Sequence, residues 1–124
     1  MTTATGNAYD DGAERRGWLI GHFIDPETSP LHSTDVEIKW GTHQAGEERH
    51  EWTVAAEEVR TTMVMLLRGH FAVRLPDGDQ EMKRDGDFVV FGPRTSHSWQ
   101  AFDDSIVPDS IVPTVRWPSV VESS

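Results

Sequence analysis

Acidic and histidine side chains crowd into a short segment in the first half of the chain. His43 and Glu47 are four residues apart, Glu47 and Glu48 are adjacent, and His50 follows two residues later. Imidazole nitrogen and carboxylate oxygen are ligands that zinc, iron and manganese accept, so this segment can supply a divalent metal site. The same residues are typical of a solvated acidic surface, and the sequence leaves both interpretations open.

Another candidate, His97, lies in an extended pattern in the last third of the chain. In a strand over residues 96–102, the side chains of His97, Trp99 and Ala101 point to one face. A histidine beside a tryptophan suits a ligand pocket, and its imidazole can exchange a proton near neutral pH. The alternative is a core histidine that is hydrogen-bonded to the backbone.

The elements that must hold these groups are short apolar segments separated by Gly, Pro, Asp and Asn, which is typical of an all-β fold. We expect the segment that carries His43 to His50 to be a loop. Eight short strands predict a barrel or a jelly roll. The candidate strands are residues 18–24, 35–40, 60–67, 70–75, 80–84, 88–91, 96–102 and 111–117.

Three finer patterns accompany the strands. Val36, Ile38 and Trp40 alternate with charged residues, which predicts a half-buried strand with Trp40 on its inner face. Residues 54–59 are a helical candidate of about one and a half turns, too short to be stable alone. The pentad Asp-Ser-Ile-Val-Pro occurs twice in succession over residues 104–113 and is interpreted as a duplicated loop.

The size and charge of the chain restrict its function. Its 124 residues fit one domain, and 11 Lys and Arg against 21 Asp and Glu give a net charge of -10. This charge repels nucleic acid and anionic membrane surfaces, so we expect neither as a partner. Without cysteine, no disulfide, thiolate nucleophile or sulfur-based zinc site can form.

The two ends of the chain differ in composition from its middle. We expect a flexible tail over residues 1–16, one domain over 17–120 and a short polar end over 121–124. The first twelve residues contain neither the basic nor the apolar stretch of a secretory signal. The longest apolar run, residues 63–67, is too short to cross a membrane. These features predict a cytoplasmic protein.

Two segments resemble the two halves of the cupin motif. Residues 62–73 contain an apolar strand followed by Gly69 and a chain reversal, and residues 86–99 contain a Gly-Asp turn, an apolar strand, a proline and His97. The resemblance covers roughly residues 36–117. It implies a single-domain antiparallel jelly-roll barrel, cupin-like, whose interior holds a metal or an organic ligand. Because such barrels commonly pair through edge strands, we also expect a homodimer.

The first half departs from the family pattern. Counted from Gly46, the paired histidines of the motif fall on His50 and Trp52 or two residues later, so at most one histidine is present. Counted back from Gly69, the metal-binding glutamate falls near Thr62. A metal would therefore need a substitute set of ligands. The residues that can supply it are His43, Glu47, His50 and His97.

The resemblance also implies a pocket for an organic ligand, because it places the face of His97 toward the barrel interior. A ring at Trp52 fills space that a metal otherwise occupies, which favours a ligand stacked on aromatic side chains. Arg49 can hold a ligand carboxylate through its planar fork, or it can form a surface salt bridge. The candidate ligand-binding residues are Trp40, Arg49, Trp52 and Trp99.

Two functions follow as expectations. The first is an enzyme of isomerase, cyclase, lyase or oxygenase type that acts on a small molecule inside the barrel. In it, His97 and His43 serve as metal ligands or as acid and base, and Glu47 is a carboxylate ligand. Its cofactor is a divalent Fe, Mn or Zn ion, with a metal-free reaction as an equal alternative. The second is a metal-free module that binds or senses a small molecule between Trp52 and Trp99.

Overall fold

The computed structural model describes residues 3–53, 59–103 and 109–119. These ranges contain a short α-helix, α1 (Ala8–Asp11), a 3-10 turn at Ala13–Arg15 and eleven strands. No helix within them is long and apolar enough to cross a membrane. The strands are β1 (Trp18–Ile20), β2 (Glu37–Lys39), β3 (Thr42–Gln44), β4 (Glu48–Thr53), β5 (Arg60–Met65), β6 (Phe71–Leu75), β7 (Gly78–Met82), β8 (Phe88–Phe91), β9 (His97–Ala101), β10 (Asp109–Ile111) and β11 (Thr114–Pro118).

Two antiparallel sheets form the walls of a barrel. The larger sheet has the strand order β1-β2-β11-β5-β8, and the smaller has the order β4-β9-β6-β7. Strands β3 and β10 form a separate two-stranded ribbon. Each of the eight candidate strands overlaps an observed strand, and the predicted all-β antiparallel jelly roll is confirmed.

The core lies between the two sheets and is built from their inward-facing apolar residues. Burying each of the larger ones stabilises the fold by roughly 1.5–3 kcal/mol relative to leaving it exposed. Trp99, Val89 and Leu75 pack against this cluster from positions that are only partly buried. The buried members are Val64, Leu66, Phe71, Val73, Met82, Phe91, Ala101 and Val112.

The segment that carries His43 to His50 is not a loop, as the sequence indicated, but two strands with a turn between them. Its residues are mostly polar and lack the alternation of apolar and polar residues that predicts a strand. The reason is that β4 is an edge strand whose outer face meets water and whose inner face meets a polar cavity. In β4, Arg49 pairs with Trp99 and Thr53 with His97, with a register irregularity between the two pairs. Strand β4 therefore places Arg49 directly beside the candidate strand of His97.

The predicted inner face of residues 35–40 is wrong. Glu37 is only 6% exposed, and Lys39 lines the cavity between the sheets, so the charged residues of β2 face inward. Apolar residues usually face a core, but here the inner face borders a polar cavity. Trp40 follows the end of β2 and lies at the barrel rim.

The repeated pentad is only partly described. Its first copy, residues 104–108, lies outside the described residues, as do residues 54–58 of the helical candidate. The second copy begins with β10, a strand rather than a loop, in which Ser110 pairs with His43. Strand β10 thereby fixes the position of His43.

Part of the predicted flexible tail, residues 1–16, is folded against the barrel. The Asn7 side chain caps α1 by accepting hydrogen bonds from the backbone N–H groups of Tyr9 and Asp10, at 2.9 and 3.3 Å. The Tyr9 ring lies edge-on to Trp40, with 5.7 Å between the ring centroids. The start of the chain therefore covers the rim at which Trp40 lies.

The edge strand β8 carries two exposed apolar side chains, Phe88 and Val90. Proteins usually protect such an edge, since it offers unpaired backbone groups to other chains. The homodimer expected from the sequence stays a prediction. Sedimentation equilibrium is expected to give twice the mass of the chain, and a monomer alone would contradict it.

Gly69, the reversal glycine of the first motif half, has no room for a side chain. Its φ is 112°, and a Cβ there would lie 2.4 Å from Ser110 Oγ and 2.6 Å from Ser110 Cα. We expect Gly69→Ala to lower the free energy of unfolding by more than about 2 kcal/mol, because both a clash and an unfavourable φ result. Gly46 is the matched control, since its φ is 87° but a Cβ would meet open space.

The measurement for this pair is urea denaturation. Gly46→Ala carries only the cost of the left-handed backbone, about 1 kcal/mol. Equal losses for the two variants would show that contact with Ser110 does not constrain Gly69.

Candidate functional site

The candidate site is a cavity of about 100 Å³ between the two sheets. Strands β2, β5, β8 and β11 of the larger sheet line it, together with β4, β6 and β9 of the smaller sheet and β3. Its apolar part is the inner surface of the core, including Phe71, Phe91 and Trp99. Its polar side chains are Lys39, His43, Arg49, Thr62, His97, Ser98, Thr114 and Arg116.

His43 is held between aromatic rings. Its ring centroid lies 4.2 Å from that of Trp99 and 5.0 Å from that of Phe71. Burial lowers the pKa of His43 from 6.5 to about 4; the Glu47 charge opposes this effect, and the Lys39 charge adds to it. His43 is therefore neutral at pH 7 and packs with Trp99 and Phe71 in an aromatic wall.

His97 lies at the start of β9, with its ring 4.7 Å from that of Phe91. Its Nδ1 is 3.0 Å from the carbonyl oxygen of Thr95, which can only accept, so Nδ1 carries the proton and donates. Burial is the main cause that lowers the pKa of His97, and the charges of Arg49 and Arg116 add to it. Neutral His97 therefore keeps an unprotonated Nε2.

Three cationic side chains reach the same cavity. Arg49 donates through Nη2 to the His97 carbonyl oxygen at 3.1 Å, while its buried Nε has no hydrogen-bond partner among the described residues. Lys39 comes from β2 and Arg116 from β11, in the opposite sheet. Burial lowers the pKa of Lys39, and the neighbouring Arg116 and Arg49 charges lower it further. The cations are close enough to destabilise one another's charge.

Glu37 provides part of the balancing negative charge from beneath the cavity. Its carboxylate is 2.5 Å from Arg60 Nη1 and 3.6 Å from Arg116 Nη1. His22 Nδ1 also lies 3.0 Å from it. This buried carboxylate fixes the positions of Arg60 and Arg116 without itself lining the cavity.

Larger spaces open at both sides of the cavity. One, of about 400 Å³, lies beneath α1 and shares Lys39, His43 and Trp99 with the cavity. The other, of about 310 Å³, shares Arg49 and His97 with it. Each of the two larger spaces therefore adjoins the central cavity.

The four residues predicted as a metal site do not all converge, although His43 and Glu47 both line the 400 Å³ space. His50 is 81% exposed, 3.6 Å from Glu48, and Glu47 accepts a hydrogen bond from the Gln44 backbone N–H at 2.7 Å. Among residues 3–53, 59–103 and 109–119, no group of three or more His, Cys, Asp or Glu side chains is placed to hold a metal ion. This donor set does not fit a cupin-type metal centre, because His43 and His97 reach the cavity without a carboxylate or a third imidazole.

The structure brings most of the predicted pocket residues together and separates one. His43, Arg49, His97 and Trp99 line the central cavity, and Trp40 lines the 400 Å³ space. Trp52 does not face Trp99 across the barrel. It is 45% exposed on β4, a strand of the same sheet as Trp99, and it lines none of the three spaces described above.

Sequence reasoning missed the cations Lys39 and Arg116. Lys39 alternates with apolar residues that are expected to face inward, and the inner face of the strand that carries Arg116 is not assigned by the sequence. What places both cations at the cavity is the pairing of their strands. Strand β11 pairs with β2, with Thr114 opposite Lys39. Such pairing is not visible in one sequence.

Comparisons with known proteins agree with this architecture. Neither protein-family models nor curated proteins gave a match to the sequence. Among solved structures, a cupin protein from Bacteroides fragilis is 13% identical, with a TM-score of 0.60, over 74% of this chain and 73% of the other. KdgF from Halomonas sp. is 22% identical, with a TM-score of 0.57, over 82% of this chain and 93% of the other.

A third similar structure is an RmlC-like cupin family protein with a double-stranded β-helix fold, from Methanocaldococcus jannaschii. It is 15% identical, with a TM-score of 0.57, over 69% of this chain and 72% of the other. At such identities the likeness concerns the fold alone. The two facing antiparallel sheets, the cavity between them and these likenesses together show that the chain has the cupin fold.

Proposed function

We propose that the barrel binds a small organic acid through its carboxylate, without a metal ion. One observation carries the proposal: Lys39, Arg49 and Arg116 line one cavity whose described lining contains no carboxylate. The same cavity has an aromatic and aliphatic floor that suits a carbon skeleton. Its occupant therefore has an anionic head and a short apolar body.

The charge distribution supports an anionic ligand. The whole chain carries a net charge of -10, yet the cavity is cationic. Cations that are taken out of water and placed side by side are stabilised when an anion pairs with them. The lowered pKa of Lys39 has this physical origin, and a bound carboxylate would raise it again.

Arg49 is the best-placed group for the carboxylate. Its Nη2 is held by the His97 carbonyl, and its buried Nε is without a partner among the described residues. A buried N–H group without an acceptor costs roughly 1–3 kcal/mol, which a ligand oxygen can recover. The planar fork of Arg49 therefore presents an oriented donor to the ligand.

Isothermal titration with butyrate and with butyramide tests the proposal, because the two have the same skeleton and differ in charge. We expect butyrate to bind at least about tenfold more tightly, the effect of one charge-assisted hydrogen bond. Equal affinities, or binding of neither, would overturn the proposal. Stoichiometric iron, manganese or zinc in protein purified without an affinity tag would overturn its metal-free part.

Proton transfer on the bound acid is a second candidate function, favoured by the state of His97. Neutral His97 has its Nδ1 proton committed to Thr95, so its Nε2 can take a proton from carbon. Exchange of the C3 hydrogens of 2-oxobutyrate in D2O, followed by NMR and compared with His97→Gln, distinguishes an enzyme from a binding module.

A further inference from the structure

Arginine side chains surround the space that opens beside His97. Arg49 belongs to β4, Arg60 to β5 and Arg116 to β11, and Arg94 comes from the loop between β8 and β9. This space has a volume of about 310 Å³, and its other polar lining residues are histidine and threonine. No Asp or Glu is among the described residues that line it. Its described lining therefore has four arginines, against two arginines and one lysine in the central cavity.

The arginine-lined space adjoins the central cavity. Arg49, Thr62, Phe91, His97 and Arg116 line both. A molecule whose carboxylate lies between Lys39 and Arg49 can thus extend past His97 to the outer arginines. One sufficiently long molecule would therefore bring a second anionic group to the outer arginines, without a second molecule having to bind.

Arg94 has a backbone conformation that favours glycine. Its φ is 57°, in the left-handed region, which L-residues with long side chains seldom adopt. The loop is tied in this shape by a hydrogen bond from Thr95 Oγ1 to the Gly92 carbonyl at 2.8 Å. Arg94 is exposed, so packing does not explain why an arginine is present where glycine would fit without strain.

A side chain kept at a strained position is often part of a binding site. In the lining of the arginine-lined space, Arg94 adds an exposed cation to Arg60 and Arg116, both of which pair with Glu37. Arginines that come from different strands and a loop can bind an anionic group from more than one side.

We infer that the arginine-lined space is a second anion subsite and that the ligand of the barrel carries two anionic groups. The first group binds at Lys39 and Arg49, which rests on the function proposed above, and the second binds at Arg60 and Arg94. The substrate class is a dianionic small molecule, a dicarboxylate or a carboxylate with a phosphoryl group.

Isothermal titration with matched pairs of acids tests the subsite. Succinate is compared with butyrate, glutarate with valerate and adipate with hexanoate, because each pair differs by one terminal carboxylate. The compound 3-phosphonopropionate, compared with butyrate, supplies the phosphoryl case. In the unaltered protein, at least one dianion is expected to bind about tenfold or more tightly than its monoanion.

Arg94→Gly is the informative variant, since glycine suits the φ of 57° and the loop can keep its shape. Arg94→Asn is the second variant, because asparagine tolerates the left-handed region and leaves a polar side chain. Both are expected to bring the ratio of dianion to monoanion affinity close to one. Arg84→Gly removes the same charge from a loop that does not line the space, and it is expected to keep the ratio of the unaltered protein.

The possible outcomes separate this inference from the proposed function. If butyrate binds and no dianion binds more tightly, the subsite is wrong and the proposed function stands. If no acid binds, the proposed function fails as well. A ratio that survives in both Arg94 variants, or falls equally in Arg84→Gly, also overturns the subsite.

Discussion

Arg49→Ala is expected to weaken butyrate binding by about 10- to 100-fold, the largest loss of affinity for any single side chain of the cavity. The guanidinium of Arg49 is fixed by the His97 carbonyl, 3.1 Å from Nη2, so it binds a carboxylate with little loss of side-chain entropy. Calorimetric titration of the variant with butyrate measures the loss. Arg49→Lys is expected to recover only part of it, since an ammonium lacks the planar fork.

Arg74→Ala is the matched control for Arg49. Arg74 lies on β6 of the same sheet, but its Nη2 pairs with Glu48 at 2.9 Å and with Gln100 at 2.7 Å, and it does not line the cavity. The Arg74→Ala substitution removes one positive charge from the sheet without changing the cavity lining. If the two alanine variants bind butyrate equally well, the position of the charge is irrelevant and Arg49 is not the carboxylate ligand.

Much of the fold was accessible from the sequence because apolar segments and turn residues dominate it. The segments that became β5, β6, β8 and β9 contain most of the core, and their apolar content identifies them without knowledge of their partners. Strands β3 and β4 were not predicted, for the opposite reason. Their residues are polar or charged on both faces, since one face meets water and the other meets a polar cavity.

The site was predictable only where one strand determines it. His97 and Trp99 share a face of β9 by simple alternation, and both line the cavity. The cations depend instead on how strands pair. Arg116 and Lys39 reach the cavity together because β11 pairs with β2, which a single sequence does not reveal.

The predicted metal ligands show the limit of spacing as a guide. His50 follows Arg49 in β4, so when Arg49 faces the cavity the next side chain points outward. His43 and Glu47 both line the 400 Å³ space, but Glu47 lies in the turn after β3, where its carboxylate accepts a hydrogen bond from the Gln44 backbone N–H. Proximity in sequence therefore did not bring all four residues together at one point in space.

The stability of the protein is expected to fall as the pH is lowered from 6.5 to 4, with His43 as a main cause. The pKa of His43 is about 4 in the folded protein, against an ordinary value of 6.5. Below pH 6.5 the unfolded chain therefore binds a proton that the folded protein refuses, which favours unfolding. The contribution of His43 to the stability of the fold is fully present above pH 6.5 and declines between pH 6.5 and pH 4. Below about pH 4, His43 causes no further change in stability. The full difference amounts to roughly 3 kcal/mol of unfolding free energy.

Urea unfolding of the unaltered protein and of His43→Phe at pH 7 and pH 4.5 measures this contribution. Phenylalanine keeps a ring between Trp99 and Phe71, so the packing of the wall is largely retained. The variant is expected to lose about 2 kcal/mol less than the unaltered protein over this interval. Glutamates that titrate near pH 4.5 are the same in both proteins, so their effect cancels in the comparison. His50→Ala, which removes an exposed imidazole outside the cavity, controls for the loss of a histidine as such. If His43→Phe loses as much stability as the unaltered protein, His43 is hydrated and charged in the fold, and the cavity wall is not the apolar surface that the proposed organic acid requires.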